Sequence, residues 1–224
     1  RLFSRASNRN ARLCFSFRVE TRHEDAKYEM KIVNDDGVLT GHMTDGVGYM
    51  MSLDDAKVAY AGRKMTLVGM GGASTAVAIQ AAMQGVRSID VFNVRDDFFA
   101  QGEATAAMIQ ERLGCAVRVF DLADRSLLKA SMARSDIFIN GTPLGMEATV
   151  DQSVVPDESY FHRGLTVTDL IYVPEQTRLL RMAKAAGCQT VSGLGMQLFQ
   201  GAEAFRLWTG REMPVDLARR LVLD

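Results

Sequence analysis

The sequence predicts an α/β fold built on a doubly wound parallel sheet, and three observations carry that prediction. From Lys64 onward, short apolar runs alternate with longer segments of helical periodicity, one helix between successive strands. Strands joined by single helices pair in parallel through crossovers. The first apolar run, Met65-Thr66-Leu67-Val68, breaks into Gly69-Met70-Gly71-Gly72 and then into the small residues Ala73-Ser74-Thr75-Ala76. That order reads as strand, tight turn, helix start. Finally, glycines and polar residues recur just after the strands, where an open parallel sheet binds its ligands.

Size and composition narrow the possibilities. The chain has 224 residues, of which 47% are apolar, enough for one large domain or a domain with part of another. A formal net charge of −1 gives no electrostatic case for nucleic acid or an anionic membrane. No apolar run approaches the ~20 residues of a membrane-spanning helix. Cys14, Cys115 and Cys188 are odd in number and far apart, which excludes a full disulfide framework and suits a reducing, cytoplasmic compartment. His23, His42 and His162 have no ligand spacing, so no metal site is expected.

The elements follow in order. Residues 1–30 carry Arg1, Arg5, Arg9, Arg12 and Arg18 among serines, with no acid before Glu20. Such a start can be a transit peptide, but without an amphipathic repeat a mobile or mis-joined chain end is the better reading. Residues 15–19 alternate weakly, as a strand would. Residues 28–44 read as a hairpin turning at Asn34-Asp35-Asp36-Gly37. By composition alone, Asp45-Gly46 is another turn. A short helix is expected over 49–61, closed by Gly62. Strands follow at 65–68, 88–93, 117–121, 136–140, 165–170 and 188–191. Helices are expected at 74–84, 97–113, 125–133, 177–186, 196–208 and 215–223. Phe98, Phe99 and Trp208 read as packing residues by their spacing.

The glycine turn is the strongest chemical signal. It aims backbone N–H groups and a helix N-terminus at an anion, usually a phosphate, as in Rossmann-like dinucleotide domains. Ser74 stands where the general fingerprint has a third glycine, so the match is partial. The strand-end positions read as cofactor-binding are Gly69, Gly71, Gly72, Ala73, Asn93, Arg95, Asp96, Asn140, Gly141, Thr142, Gly193 and Met196. Among them, Asp96 is chosen to accept hydrogen bonds from the adenosine ribose, whereas Asp90, inside its strand, reads as structural. Asp96 and Asp97 also suit a helix start through the dipole. Arg95 pulls the other way, toward an adenine face or a 2′-phosphate. NAD is favoured over NADP. Asn140-Gly141-Thr142 is placed as a backbone contact for the nicotinamide half.

From about Ile32 to its end, the chain resembles the shikimate dehydrogenase family, and within it the quinate/shikimate dehydrogenases most. The motifs are Val33-Asn34-Asp35-Asp36-Gly37-Val38-Leu39-Thr40-Gly41-His42, Thr44-Asp45-Gly46, Gly69-Met70-Gly71-Gly72-Ala73, and Phe92-Asn93-Val94-Arg95-Asp96-Asp97-Phe98-Phe99. They continue with Gly193-Leu194-Gly195-Met196, Gln200-Gly201-Ala202-Glu203-Ala204-Phe205 and Leu207-Trp208-Thr209-Gly210. The resemblance implies hydride transfer between NAD or NADP and a ring hydroxyl of shikimate or quinate. It puts Asp45 at the catalytic aspartate and Gln200 at the substrate-binding glutamine, with Tyr172 near the substrate edge. It leaves room for a homodimer.

Some residues depart from the family pattern. Ser4, Ser7 and Ser16 lack the context of the family's carboxylate-holding serine pair, and Lys27 and Lys31 do not match its lysine motif. Met43 stands where asparagine is common. Val94 stands where arginine is frequent, which favours NAD. The expected organisation is a remnant of a substrate domain with the hairpin over 1–45, then a dinucleotide-binding domain with C-terminal helices over 46–224. The expected activity is a shikimate/quinate dehydrogenase, impaired in so short a chain. The alternative is a non-catalytic dinucleotide-binding module. A methyltransferase reading of the glycine turn is opposed by Thr44-Asp45-Gly46 and the Gln200 helix.

Overall fold

The computed structural model describes residues 15–18, 31–36 and 38–222. The expectations for Ser4, Ser7, Lys27 and the turn glycine Gly37 lie outside the described residues. β1 (Phe15–Arg18), β2 (Lys31–Asp35) and β3 (Val38–Met43) form a small antiparallel sheet in the order β1-β3-β2. The hairpin register runs from Asp35 opposite Val38 to Lys31 opposite His42.

The chain then enters α1 (Asp45–Asp55). This corrects the expected helix over 49–61 and the reading of Asp45-Gly46 as a turn. Gly46 and Gly48 resemble turn residues but serve helix packing. A Cβ on Gly46 would lie 2.4 Å from the Ala76 carbonyl oxygen, and one on Gly48 would lie 2.5 Å from the Gln200 backbone nitrogen. Two residues apart on a helix is about 200° of rotation. The two glycines therefore open opposite faces of α1 to two different helices. The helix stops early because Lys57 takes a φ of +58°. Val58 N–H then bonds to Leu53 O at 2.9 Å and Lys57 N–H to Asp54 O at 3.1 Å, the paired bonds of a Schellman ending. The usual residue at that position is glycine, and a lysine there gives no such signal.

The remaining strands are β4 (Lys64–Val68), β5 (Ser88–Asn93), β6 (Ala116–Asp121), β7 (Ile137–Asn140), β8 (Thr166–Asp169) and β9 (Gln189–Val191). They form a six-stranded parallel sheet in the order β6-β5-β4-β7-β8-β9, the doubly wound α/β arrangement expected. α2 (Gly72–Met83), α3 (Asp97–Leu113), α4 (Arg125–Met132) and α5 (Arg178–Ala185) connect or flank the strands, followed by α6 (Gly193–Thr209) and α7 (Val215–Val222). β4, β7 and β8 are buried throughout, as strands covered on both faces must be. Strand order reverses between β4 and β7, which opens a crevice at their C-terminal ends.

Asp90 has the structural role expected of it. Its carboxylate is 2.7 Å from Lys64 Nζ and 2.8 Å from Arg118, and it accepts from the Ser131 hydroxyl at 2.7 Å. Burial pushes its pKa up, but the bonds from Lys64, Ser131 and Arg118 outweigh that and hold it below the usual carboxylate range. No helix among the described residues is long and apolar enough to cross a membrane.

Candidate functional site

The glycine turn after β4 is built by contacts that only glycine permits. Gly69 has a φ of +91°, and a Cβ there would lie 2.9 Å from the Gly141 carbonyl oxygen. Gly141 has the converse problem: its Cβ would lie 1.9 Å from Ser74 Oγ. Ser74, where the general fingerprint has glycine, is buried and faces Gly141 across the switch point. The room a third glycine would make is supplied by the other loop.

Gly71 is different. Its φ of −73° and ψ of −174° suit any residue, and a Cβ there would meet nothing within 4 Å. Nothing in the fold demands glycine at this position. It is the N-cap of α2, it supplies no side-chain cap, and the first helix bond is Thr75 N–H to Gly71 O at 2.9 Å. The N–H groups of Gly72, Ala73 and Ser74 thus precede the helix ladder. An uncapped helix start of this kind is an anion-binding geometry.

The neighbouring strand ends support this turn. Asn93 Oδ1 accepts from Met70 N–H at 3.1 Å, and its amide donates to Val94 O and Asp96 Oδ1. Asn93 therefore shapes the turn from within. Arg95 lies with its guanidinium 4.7 Å from the Phe99 ring centroid and bonds Asp121 at 2.8 Å. Asn140 is fully buried and its side chain is wholly engaged: it donates to Asp169 and Leu144 O, and accepts from the Thr142 N–H and hydroxyl. It fixes the loop instead of facing the crevice.

A cleft of about 720 Å³ opens beside the turn. Asp45, Gly72, Ala73, Tyr172, Gly193, Met196 and Gln200 line it, so it gathers candidates from α1, α2, the β8–α5 loop and α6. Gly69, Gly71, Asn93, Arg95, Asp96, Asn140, Gly141 and Thr142 are not among its lining residues; they belong to the strand-end loops. α6 starts at Gly193, three residues before the expected start, because Gly193 and Gly195 let it approach close neighbours. Their Cβ atoms would lie 2.5 Å from the Leu170 and Ile171 carbonyl oxygens and 2.9 Å from Ser52 Cβ.

Sequence reasoning missed Lys31, Leu170, Gln197, Gly201, Ala204 and Trp208 in this lining. Trp208 corrects the expectation of a packing residue: it is 59% exposed and stands at the cleft. The spacing of Gly193, Met196, Gln197, Gln200, Gly201, Ala204 and Trp208 is one stripe of a helix, and that periodicity was the available signal. Gln200 donates to Gln197 Oε1 at 2.7 Å, while its own buried Oε1 has no hydrogen-bond partner among the described residues. The Thr44 hydroxyl, beside Asp45, is also buried without a hydrogen-bond partner among the described residues. Such groups are costly unless a ligand satisfies them. No cluster of His, Cys, Asp and Glu among the described residues can hold a metal.

Asp169 holds the wall behind the cleft. It accepts from Asn140 Nδ2 at 3.0 Å, Ile171 N–H at 3.1 Å and the Thr177 hydroxyl at 2.8 Å. Burial pushes its pKa up to about 7, against the opposing effect of those bonds. The folded state therefore keeps this proton up to about pH 7, whereas the unfolded chain releases it near 3.9. Stability from this group is full below the unfolded value and is lost as pH rises through the folded one. Asp169→Asn, which mimics the protonated acid, removes this dependence. Between about pH 5 and about pH 8 the wild type is expected to lose roughly 3 kcal/mol relative to the variant. Denaturant unfolding of both chains at the two pH values checks this; parallel pH profiles would contradict it.

The family model described as the shikimate 5'-dehydrogenase C-terminal domain matches residues 193–223. The shikimate dehydrogenase (NADP(+)) of Listeria monocytogenes serotype 4b is 47% identical over 191 residues, covering 85% of this chain and 66% of the relative. The quinate/shikimate dehydrogenase of Escherichia coli O139:H28 is 44% identical over the same shares. Among solved structures, the shikimate 5-dehydrogenase of Listeria monocytogenes in complex with shikimate and NAD superposes with a TM-score of 0.83 at 46% identity. That match covers 85% of this chain and 66% of the other. The quinate dehydrogenase of Corynebacterium glutamicum in complex with NAD has a TM-score of 0.76 at 31% identity, over 86% and 66%. The chain spans about 66% of the length of the curated relatives it matches.

Proposed function

We propose, from the premise that the chain belongs to the shikimate dehydrogenase family, that it is an NAD(P)-dependent dehydrogenase of a ring hydroxyl. The reaction is 3-dehydroshikimate to shikimate, or quinate to 3-dehydroquinate. The observation that carries this reading is one cleft that holds the Asp45 carboxylate, the unpartnered Gln200 Oε1 and the start of α2. Gly71, Gly72 and Ala73 would hold the dinucleotide pyrophosphate, and a bound nicotinamide supplies the hydride acceptor or donor.

The chain's residues handle the rest. When the carbon–hydrogen bond of the alcohol gives up its hydride, the oxygen must lose its proton, and the Asp45 carboxylate takes it. In the reverse direction Asp45 returns that proton to the forming hydroxyl. Gln200 Oε1, which has no donor among the described residues, accepts from a substrate hydroxyl and orients the ring. Tyr172, 44% exposed at the rim, borders the same space. Residues 46–224 carry the dinucleotide and the C-terminal helices, and the strands before Asp45 border the substrate side. Two buried free thiols, Cys115 and Cys188, suit a cytoplasmic setting.

NAD is the favoured cofactor. A 2′-phosphate would lie beside Asp96, after β5, and Asp121, at the end of β6, and Arg95 would have to leave Asp121 to meet it. Val94, 51% exposed at the same place, offers no charge. Titration of both cofactors is expected to find NAD bound at least as tightly as NADP. Tenfold tighter NADP would reject the preference. Turnover of shikimate or quinate tests the activity. Dinucleotide binding without turnover of either acid would reduce the chain to a binding module.

A further inference from the structure

α6 presents two glutamines to the cleft, and the reaction above uses only one of them. Gln197 and Gln200 both line it. Three residues apart on a helix, they are neighbours on one face. Gln200 Nε2 donates to Gln197 Oε1 at 2.7 Å, and Gln200 Oε1 is left without a donor among the described residues. Gln197 itself is exposed.

The backbone under this pair is held from two sides. A Cβ on Gly193 would lie 2.5 Å from the Leu170 and Ile171 carbonyl oxygens, and one on Gly48 of α1 would lie 2.5 Å from Gln200 N and 2.8 Å from Met196 O. α6 therefore cannot turn or slide without meeting α1 or the end of β8. What stays free is the last torsion of each glutamine side chain, which is broad and close to two-fold. An amide left alone presents oxygen or nitrogen about equally, yet the oxygen only accepts and the nitrogen only donates. The Gln197 oxygen breaks that tie. It takes the Gln200 nitrogen and leaves the Gln200 oxygen unused. The opposite pairing, Gln197 nitrogen to Gln200 oxygen, would consume the acceptor that a substrate hydroxyl needs.

We propose that Gln197 is a positioning residue that fixes the direction of the Gln200 amide, so that an acceptor and not a donor meets the substrate hydroxyl. This rests on the proposed function and deepens it: the pair selects a hydroxyl at that place in the ring over an ether or carbonyl oxygen. Two other accounts of Gln197 predict different results. As a polar pair on a helix surface, it adds to stability and leaves substrate binding alone. As a direct contact, it serves the substrate through its own nitrogen and acts without Gln200.

The experiment measures KM and kcat of the whole chain for shikimate oxidation at saturating NAD. Gln197→Met keeps the side-chain length and loses the hydrogen bond. It should raise KM roughly 2–10-fold, the span of one neutral hydrogen bond, and leave kcat close to the wild type. Gln197→Glu offers only acceptors at neutral pH, so it should hold the Gln200 amide the same way and recover much of the lost KM. Gln197→Lys offers only donors and should recover none of it. A bare charge effect on an anionic substrate runs in the opposite order, lysine better and glutamate worse, and that order would overturn the proposal. In a Gln200→Leu chain, Gln197→Met should change KM no further; an undiminished effect there makes Gln197 a direct contact and rejects the positioning role. A wild-type KM in Gln197→Met rejects it as well. If the wild type neither binds nor turns over shikimate or quinate although it binds NAD, the proposed function fails first and this inference with it. NAD affinity should be the same in all these chains, which separates a lost contact from a lost fold.

Discussion

Gly71→Val is expected to abolish dinucleotide binding and leave the fold intact. The backbone at Gly71, with φ −73° and ψ −174°, is one that valine adopts freely. Its side chain would enter space that no atom of the described residues occupies within 4 Å of the Cβ. Replacing glycine by an aliphatic residue at a helix N-cap costs up to about 1 kcal/mol. The ligand loses far more. A pyrophosphate pushed off the Gly72 and Ala73 N–H groups forfeits two charge-assisted bonds, so affinity for NAD and NADP should fall roughly 100-fold or more. Calorimetry beside an unfolding curve measures both effects. Gly141→Ala gives the opposite pattern: its Cβ would displace Ser74 Oγ, 1.9 Å away, and press on Ser74 Cβ at 3.1 Å and Val68 O at 3.2 Å, so the strain falls on the chain and not on the ligand. A Gly71→Val chain that binds NAD like the wild type would place the cofactor elsewhere.

The contrast between these two glycines marks what a sequence can reveal. Both were legible as members of a strand-end set, because strands joined by single helices force a parallel sheet and a parallel sheet collects its ligands at one edge. Which glycine answers to a ligand and which to the chain was not legible, since that depends on what faces each missing Cβ. The same limit explains α1. Gly46 and Gly48 look like turn residues until α2 and α6 are packed against them on opposite sides. Arg95 looked available to a phosphate because its pairing with Asp121 joins two strand ends that only the sheet brings together. Lys31 was set aside for matching no motif. Its place in the cleft comes from the hairpin and from Trp208, which bonds to Ile32 across 176 residues of chain. Asp169 gave no signal at all, being one acid at the end of an apolar run.

Asp45→Asn tests the chemistry as Gly71→Val tests the cofactor. Asp45 is the first residue of α1, where the helix dipole favours a negative charge, so exchanging it for asparagine costs about 0.3–1 kcal/mol of stability. Asparagine is of nearly equal size and leaves the Gly46 and Gly48 contacts in place. The variant cannot take up the alcohol proton, however, and kcat should fall roughly 10²–10⁴-fold, the usual worth of a positioned acid–base group. NAD affinity should not change, because the proposed contacts of the pyrophosphate are the Gly72 and Ala73 N–H groups and not the Asp45 carboxylate. Gln200→Leu should differ in kind: it removes an acceptor for a substrate hydroxyl and raises KM more than it lowers kcat. If Asp45→Asn keeps the wild-type kcat, the proton leaves by another route, and Asp45 serves the helix start alone. If kcat and NAD affinity fall together, Asp45 shapes the cleft and its charge is not the agent. Only a fall in kcat at constant NAD affinity makes Asp45 the group that moves the proton.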